Sequence, residues 1–150
     1  MASVRDVAAY ILAKEAPMSA MKLQKLCYFA YGYHLAWEDR PLFPERFEAW
    51  ANGPVVYELY GLHRGRFNLD RGEIAGDPTV LDDDERDSVN VVLENFRTYS
   101  AHELSAMTHQ PGPWLAARER AGVADLQRSN EELRDEEIAD FFGALVGRED

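Results

Sequence analysis

The sequence predicts a mainly α fold, α+β only at its margin: one compact multi-helix domain over residues 1–150, with a small β element near residues 47–51. Three observations predict it. Apolar residues recur at helical spacing in six or seven separate segments. Several of these segments open on a capping residue with an acid three positions later. The chain has 150 residues, 46% of them hydrophobic, enough for one core without a disulfide framework. Its single cysteine, Cys27, allows no internal disulfide and suits a reducing compartment.

In chain order, Ser3 and Asp6 form a capping-box pattern, and Val4, Val7, Ala8, Ile11 and Leu12 follow at helical spacing. The first helix is expected from about Val4 to Glu15, stopped by Pro17. Ser19 is a good N-cap for a second helix from about Ala20 to Glu38. That helix carries two apolar stripes. Leu23, Leu26, Cys27, Ala30, Tyr33 and Trp37 make one; Tyr28, Tyr31 and Leu35 make the other. A helix apolar on more than one side is a central strut. Gly32 in its interior costs about 1 kcal/mol against Ala, so it is expected to admit a close neighbour.

Phe47 to Trp50 alternates apolar and polar residues as a short strand does, and Asn52-Gly53-Pro54 is a turn signal. Pro54 suits a first helical turn, so Val55, Val56, Leu59, Tyr60 and Leu62 are read as a short helix ending near His63. GRFNLDRGEIAGDP reads as a loop with one short strand. Asp82 with Glu85 opens a helix from about Asp83 to Tyr99, and Ser100 with Glu103 opens another through Met107. THQPGPW is a turn, Pro113 starts the next helix, and the last helix turns Ile138, Phe141, Phe142 and Leu145 inward.

The net charge of −11 is uneven. Residues 1–72 hold nine Lys or Arg and eight Asp or Glu, whereas residues 73–150 hold seven and 19. An acidic half repels phosphate backbones, so nucleic acid is disfavoured as a partner, and a basic protein surface is favoured. Solvated helix faces explain the same charges without a partner. The N-terminus lacks the pattern of a signal peptide, and no run of about 18 apolar residues occurs, so no membrane partner is expected and the cytoplasm is the expected location.

No nucleophile elbow, phosphate loop or dinucleotide fingerprint occurs. His34, His63, His102 and His109 show no zinc spacing, so neither a metal nor a cofactor is expected. His34 is read as a hydrogen-bonded core residue and Cys27 as a buried, inert thiol. DDDE at 82–85 and DEE at 135–137 sit at helix starts, where the helix dipole favours acids. No set of residues suggests catalysis, and an enzyme is not indicated.

Three blocks, KLQKLCYFAYGYHLA, PLFPERFEAWANGPVVYELY and MTHQPGPW, in this order and spacing, resemble the Panacea domain family of SocA-like and GepA-like antitoxins from bacterial and phage toxin–antitoxin systems. The resemblance runs from about Ala20 to Phe142, most weakly in the closing LRDEEIADFF. It implies direct neutralisation of a co-encoded toxin, including toxins related to alarmone synthetases that attack translation, and a place in phage defence. A relative acts instead as an adaptor to a protease, so a proteolytic adaptor or regulatory role is the alternative. The family pattern falls on Lys22, Leu23, Gln24, Lys25, Leu26, Tyr28, Trp50, Gly53, Pro54, Val55, His109 and Trp114. Cys27 replaces the usual leucine, and Asn52 a commoner aromatic.

The resemblance and the chemistry of interface hot spots together give a partner-binding set of Lys22, Gln24, Lys25, Tyr28, Tyr31, Trp50, Asn52, Gly53, Pro54, His109 and Trp114. Lys22, Gln24 and Lys25, with Tyr28 or Tyr31, are expected to be accessible; the alternative is that both tyrosines are core. The acidic half, including Glu131, Glu132, Glu136 and Glu137, could compete for a toxin's basic channel. Arg64, Arg66 and Arg71 are the candidate patch should the protein bind DNA.

Overall fold

A computed structural model describes residues 1–149. Helix α1 spans Val4–Glu15 and opens on the expected capping box, with the Ser3 N–H donating to Asp6 Oδ2 over 2.9 Å. Strand β1 (Met18–Ser19) leads into α2 (Ala20–Glu38), where the Ser19 hydroxyl accepts from the Lys22 N–H at 3.0 Å. Strands β2 (Phe47–Trp50) and β3 (Gly53–Val56) form an antiparallel hairpin. Helix α3 (Tyr57–His63) follows directly, and β4 (Asn68–Leu69) pairs antiparallel with β1. A short 3-10 turn at Pro78–Val80 packs on α1. Then come α4 (Asp83–Phe96), α5 (Ala101–Thr108), α6 (Pro113–Ala121) and α7 (Asp135–Glu149). The fold is mainly α with a small β element, as the sequence predicts.

Helix α2 is the strut. It packs against α1, α4, α5, α7 and β3. Leu23, Leu26, Cys27 and Ala30 are fully buried, and Tyr28 and Tyr31 are buried with them. Tyr28 meets Phe47 and Phe142 edge-on at 5.3 and 5.6 Å between ring centroids. The Tyr31 hydroxyl donates to Asp135 Oδ1 at 2.8 Å, which ties the start of α7 to the middle of α2. Gly32 does admit a close neighbour: a Cβ there would lie 2.2 Å from the ring of Phe142.

Among the described residues, the buried polar side-chain atoms of this core have hydrogen-bond partners except His34 Nε2. His34 Nδ1 lies 2.7 Å from the Ser88 hydroxyl. Burial and the nearby Arg40 cation lower the His34 pKa, which favours the neutral ring. Glu85, almost fully buried, accepts from the Asp82 N–H at 2.8 Å and from Arg40 at 3.3 Å. Cys27 is buried, and that pushes its thiol pKa up to about 12.

Three boundaries differ from the sequence reading. Pro54, Val55 and Val56 do not begin a helix; they form β3, and α3 starts at Tyr57. A missing N–H suits a hairpin strand as well as a first helical turn, and two β-branched valines tip the balance toward strand. Helix α4 ends at Phe96 instead of Tyr99, and α5 runs one residue further, to Thr108.

Candidate functional site: a clamped hairpin

The three sequence blocks converge on the β2–β3 hairpin. Its register pairs Phe47 with Val56, Glu48 with Val55, Ala49 with Pro54 and Trp50 with Gly53, leaving Ala51 and Asn52 as the turn. A hairpin offers unpaired backbone groups along both outer edges. Here both are closed.

Gln24 of α2 closes the β3 edge. Its Oε1 accepts from the Val56 N–H at 2.9 Å, and its Nε2 lies 3.3 Å from the Val56 carbonyl. The Val56 N–H fixes which way the amide faces, so Nε2 is also the group placed 3.0 Å from His63 Nε2. His63 must therefore accept, which needs a neutral ring. Burial lowers the His63 pKa in the same direction.

Lys25 lies under the turn end of the hairpin. Its side chain is fully buried, and Nζ donates to the Pro54 carbonyl at 3.0 Å and to Met21 Sδ at 3.1 Å. Burial alone pulls its pKa from 10.5 down to about 7. Gly53 is required twice over. Its φ is +124°, and a Cβ there would come within 2.6 Å of Lys25 Cε.

The β2 edge is closed from the other side. The Ala49 N–H donates to the Glu131 carbonyl at 2.8 Å, and the Leu133 N–H donates to the Phe47 carbonyl at 2.9 Å. From α6, the Trp114 indole N–H donates to the Trp50 carbonyl at 2.8 Å. One helical turn on, Arg118 donates to the Ala49 carbonyl at 2.8 Å and also holds the carbonyls of Ala124 and Gln127 at 2.8 and 2.6 Å. From α5, the Ser105 hydroxyl donates to the Asn52 carbonyl. His109 Nδ1 lies 2.6 Å from the Ser105 carbonyl, and its ring stands 4.0 Å from that of Trp114.

The residues expected to bind a partner thus divide in two. Gln24, Lys25, Tyr28 and Tyr31 are buried, which corrects the expectation that they are accessible; Gly53, Pro54 and Trp114 are buried too. These hold the hairpin and the core. Asn52 and His109 are exposed, while Lys22 and Trp50 are half-buried. Lys22 Nζ donates to the Arg97 carbonyl, and Trp50 Nε1 donates to Glu48 Oε1 at 2.8 Å. Sequence reasoning missed Ser105, Arg118 and His63 as members of the clamp. Arg118 had one signal: it follows Trp114 by four positions and so shares its helix face.

Beside the clamp, Trp50 continues into an aromatic surface. Its ring meets Tyr60 edge-on at 4.9 Å and Tyr57 at 6.5 Å. Tyr57 is 56% exposed and Phe67, across the groove, 81%. The other charged stretches are partly tied down. Glu131 and Glu137 both pair with Arg120, at 3.4 and 2.6 Å, whereas Glu132 and Glu136 are exposed. Among Arg64, Arg66 and Arg71, Arg66 pairs with Glu73 at 3.3 Å. Among the described residues, no group of three or more His, Cys, Asp or Glu could hold a metal ion, and no helix is long and apolar enough to cross a membrane.

Comparison with known proteins accords with this arrangement. The family described as "Antitoxin SocA-like, Panacea domain" matches residues 23–115, a span that runs from α2 through the hairpin to Trp114. The chain is 34% identical over 126 residues to Antitoxin SocA of Caulobacter vibrioides (strain NA1000 / CB15N), covering 73% of this chain and 67% of that protein. No solved structure matches. With a clamp assembled from all three blocks and a match across most of its length, the chain belongs to the SocA-like antitoxin family of the Panacea domain.

Proposed function

We propose that this protein is a non-enzymatic antitoxin that acts in the cytoplasm as a single domain and neutralises a co-encoded toxin by direct protein–protein binding. Its toxin is one that attacks translation, of the alarmone-synthetase-like kind that modifies tRNA or nucleotides. The observation that carries this reading is the division of the family pattern. Gln24, Lys25, Gly53, Pro54 and Trp114 are used up in fixing the hairpin, and the half-buried Trp50 and exposed Asn52 and His109 remain on its outside, whereas Lys22 reaches the Arg97 carbonyl at the end of α4. A recognition element held this firmly loses little freedom on binding, which favours affinity. Glu132 and Glu136, without the pairing that occupies Glu131 and Glu137, are the carboxylates left to face a basic substrate channel.

The test is co-expression with the product of the neighbouring reading frame. Restored growth and a stable co-purified complex are expected. A toxic neighbour that this chain neither binds nor silences would refute the reading. Loss of toxin only in cells with an intact protease would replace occlusion by delivery to that protease.

A further inference from the structure

The groove beside the hairpin has a size and a charge that define what it can take. It occupies about 220 Å³ between the start of α2, the hairpin and the α3–β4 connection. Met21, Val55, Tyr60 and His63 form part of its lining, and Trp50 and Phe67 stand at its sides. Pockets for whole small molecules are roughly 300–1,000 Å³. This one is smaller and suits one large side chain.

Its rim is cationic. Arg64 and Arg66 both border it. Arg66 is engaged with Glu73, but Arg64 is exposed and makes no ion pair among the described residues. The chain as a whole carries −11, so a cationic rim here runs against the charge of the rest of the molecule. The adjoining residues are of the types that dominate binding energy: Trp50, Tyr57, Tyr60 and arginine. Phe67, 81% exposed just before β4, adds to Trp50, Tyr57 and Tyr60 a contiguous exposed apolar patch, the kind of surface that marks interaction sites.

We propose that this groove is the principal docking site for the toxin, and that its occupant is a toxin segment presenting one aliphatic or aromatic anchor flanked by a carboxylate. The anchor fills the space between Trp50, Tyr60 and Phe67, and the carboxylate pairs with Arg64. The proposal rests on the antitoxin reading and adds to it the contact face and the chemistry of the partner. The carboxylate follows from charge complementarity at Arg64, and the single anchor from the volume.

The experiment measures the affinity of the purified protein for the neighbouring reading frame's product, in five forms: wild type, Phe67→Ser, Arg64→Glu, Arg64→Lys and Leu126→Ser. Leu126 is as exposed as Phe67, at 79%, but does not line the groove, so it controls for general stickiness. Phe67→Ser and Arg64→Glu are each expected to weaken the complex at least about tenfold with unchanged melting temperatures. Arg64→Lys and Leu126→Ser should stay within about threefold of wild type, and the Arg64→Glu deficit should shrink in high salt. Binding by wild type with no loss in Phe67→Ser or Arg64→Glu overturns the groove and leaves the antitoxin reading standing. Absence of binding by wild type overturns both. A wild-type toxin complex untouched by Arg64→Glu, with loss of binding to a DNA fragment from upstream of the gene, makes the groove a nucleic-acid surface and overturns the proposal.

Discussion

The side-chain amide of Gln24 meets the backbone of Val56 at both its N–H and its carbonyl, at 2.9 and 3.3 Å, as a neighbouring strand would. One side chain on a helix therefore completes the edge of a sheet. Gln24→Leu keeps the volume and removes every polar contact. Two buried backbone groups and His63 then lack partners, at an expected cost of about 2–4 kcal/mol. Urea denaturation checks this; a loss below about 0.5 kcal/mol would mean that the amide contributes nothing to the clamp.

Lys25 gives the protein a pH dependence of definite sign. Its folded pKa, near 7, lies below the ordinary 10.5. Between those values the unfolded chain holds a proton that the folded chain does not, so stability rises with pH across the window. Below pH 7 both hold it, and the full cost of burying the cation remains. His63, the titratable group that faces Lys25, has its own pKa lowered by burial, which likewise favours its uncharged form in the folded chain. The stability difference between wild type and Lys25→Met should shift in favour of wild type by up to a few kcal/mol from about pH 6 to about pH 9.5. A difference that does not move with pH would place the ammonium in its ordinary range.

Gly32→Ala reverses a familiar rule. In an exposed helix interior this change stabilises by roughly 0.5–1 kcal/mol. Here the new methyl would fall 2.2 Å from the Phe142 ring, in the seam between α2 and α7. The expected outcome is a loss of about 1–3 kcal/mol. Phe142→Leu should cost stability alone and yet relieve the defect of Gly32→Ala in a double-mutant cycle. Additive effects would show that the two positions are not in contact.

The Cys27 thiol reports on opening of the whole core. Burial raises its pKa to about 12, so little reactive thiolate exists in the folded state. Labelling by a disulfide reagent is expected to be at least about a thousandfold slower than for a free thiol and to accelerate in proportion to the unfolded fraction in urea. Fast labelling without urea would reveal a local opening of α2.

The helical framework was legible because its signals are local. Ser3 with Asp6, Asp82 with Glu85 and Ser100 with Glu103 each form the expected reciprocal cap. The double stripe of α2 correctly marked it as the strut, and Gly32 as a point of close approach. The site was less legible because its roles are set by distant partners. Nothing around Lys25 in the sequence says that its amine ends beneath Pro54, since a lysine near a helix start is ordinarily solvated. Gln24 looked like a surface amide for the same reason, although its partner lies 32 residues away. Pro54 misled in the opposite direction: its own missing N–H fits two structures equally, and the valines that follow it and the pairing of Ala49 with Pro54 decide for the strand.

The closure of both hairpin edges constrains how recognition can evolve. With Gln24 along one side and residues 131–133 along the other, no extended segment of a partner can join the sheet through main-chain hydrogen bonds. A partner that meets this hairpin must do so through side chains, on a framework whose own bonding is already complete. Such a framework can change its surface side chains by a handful of substitutions without having to discover a new way to fold.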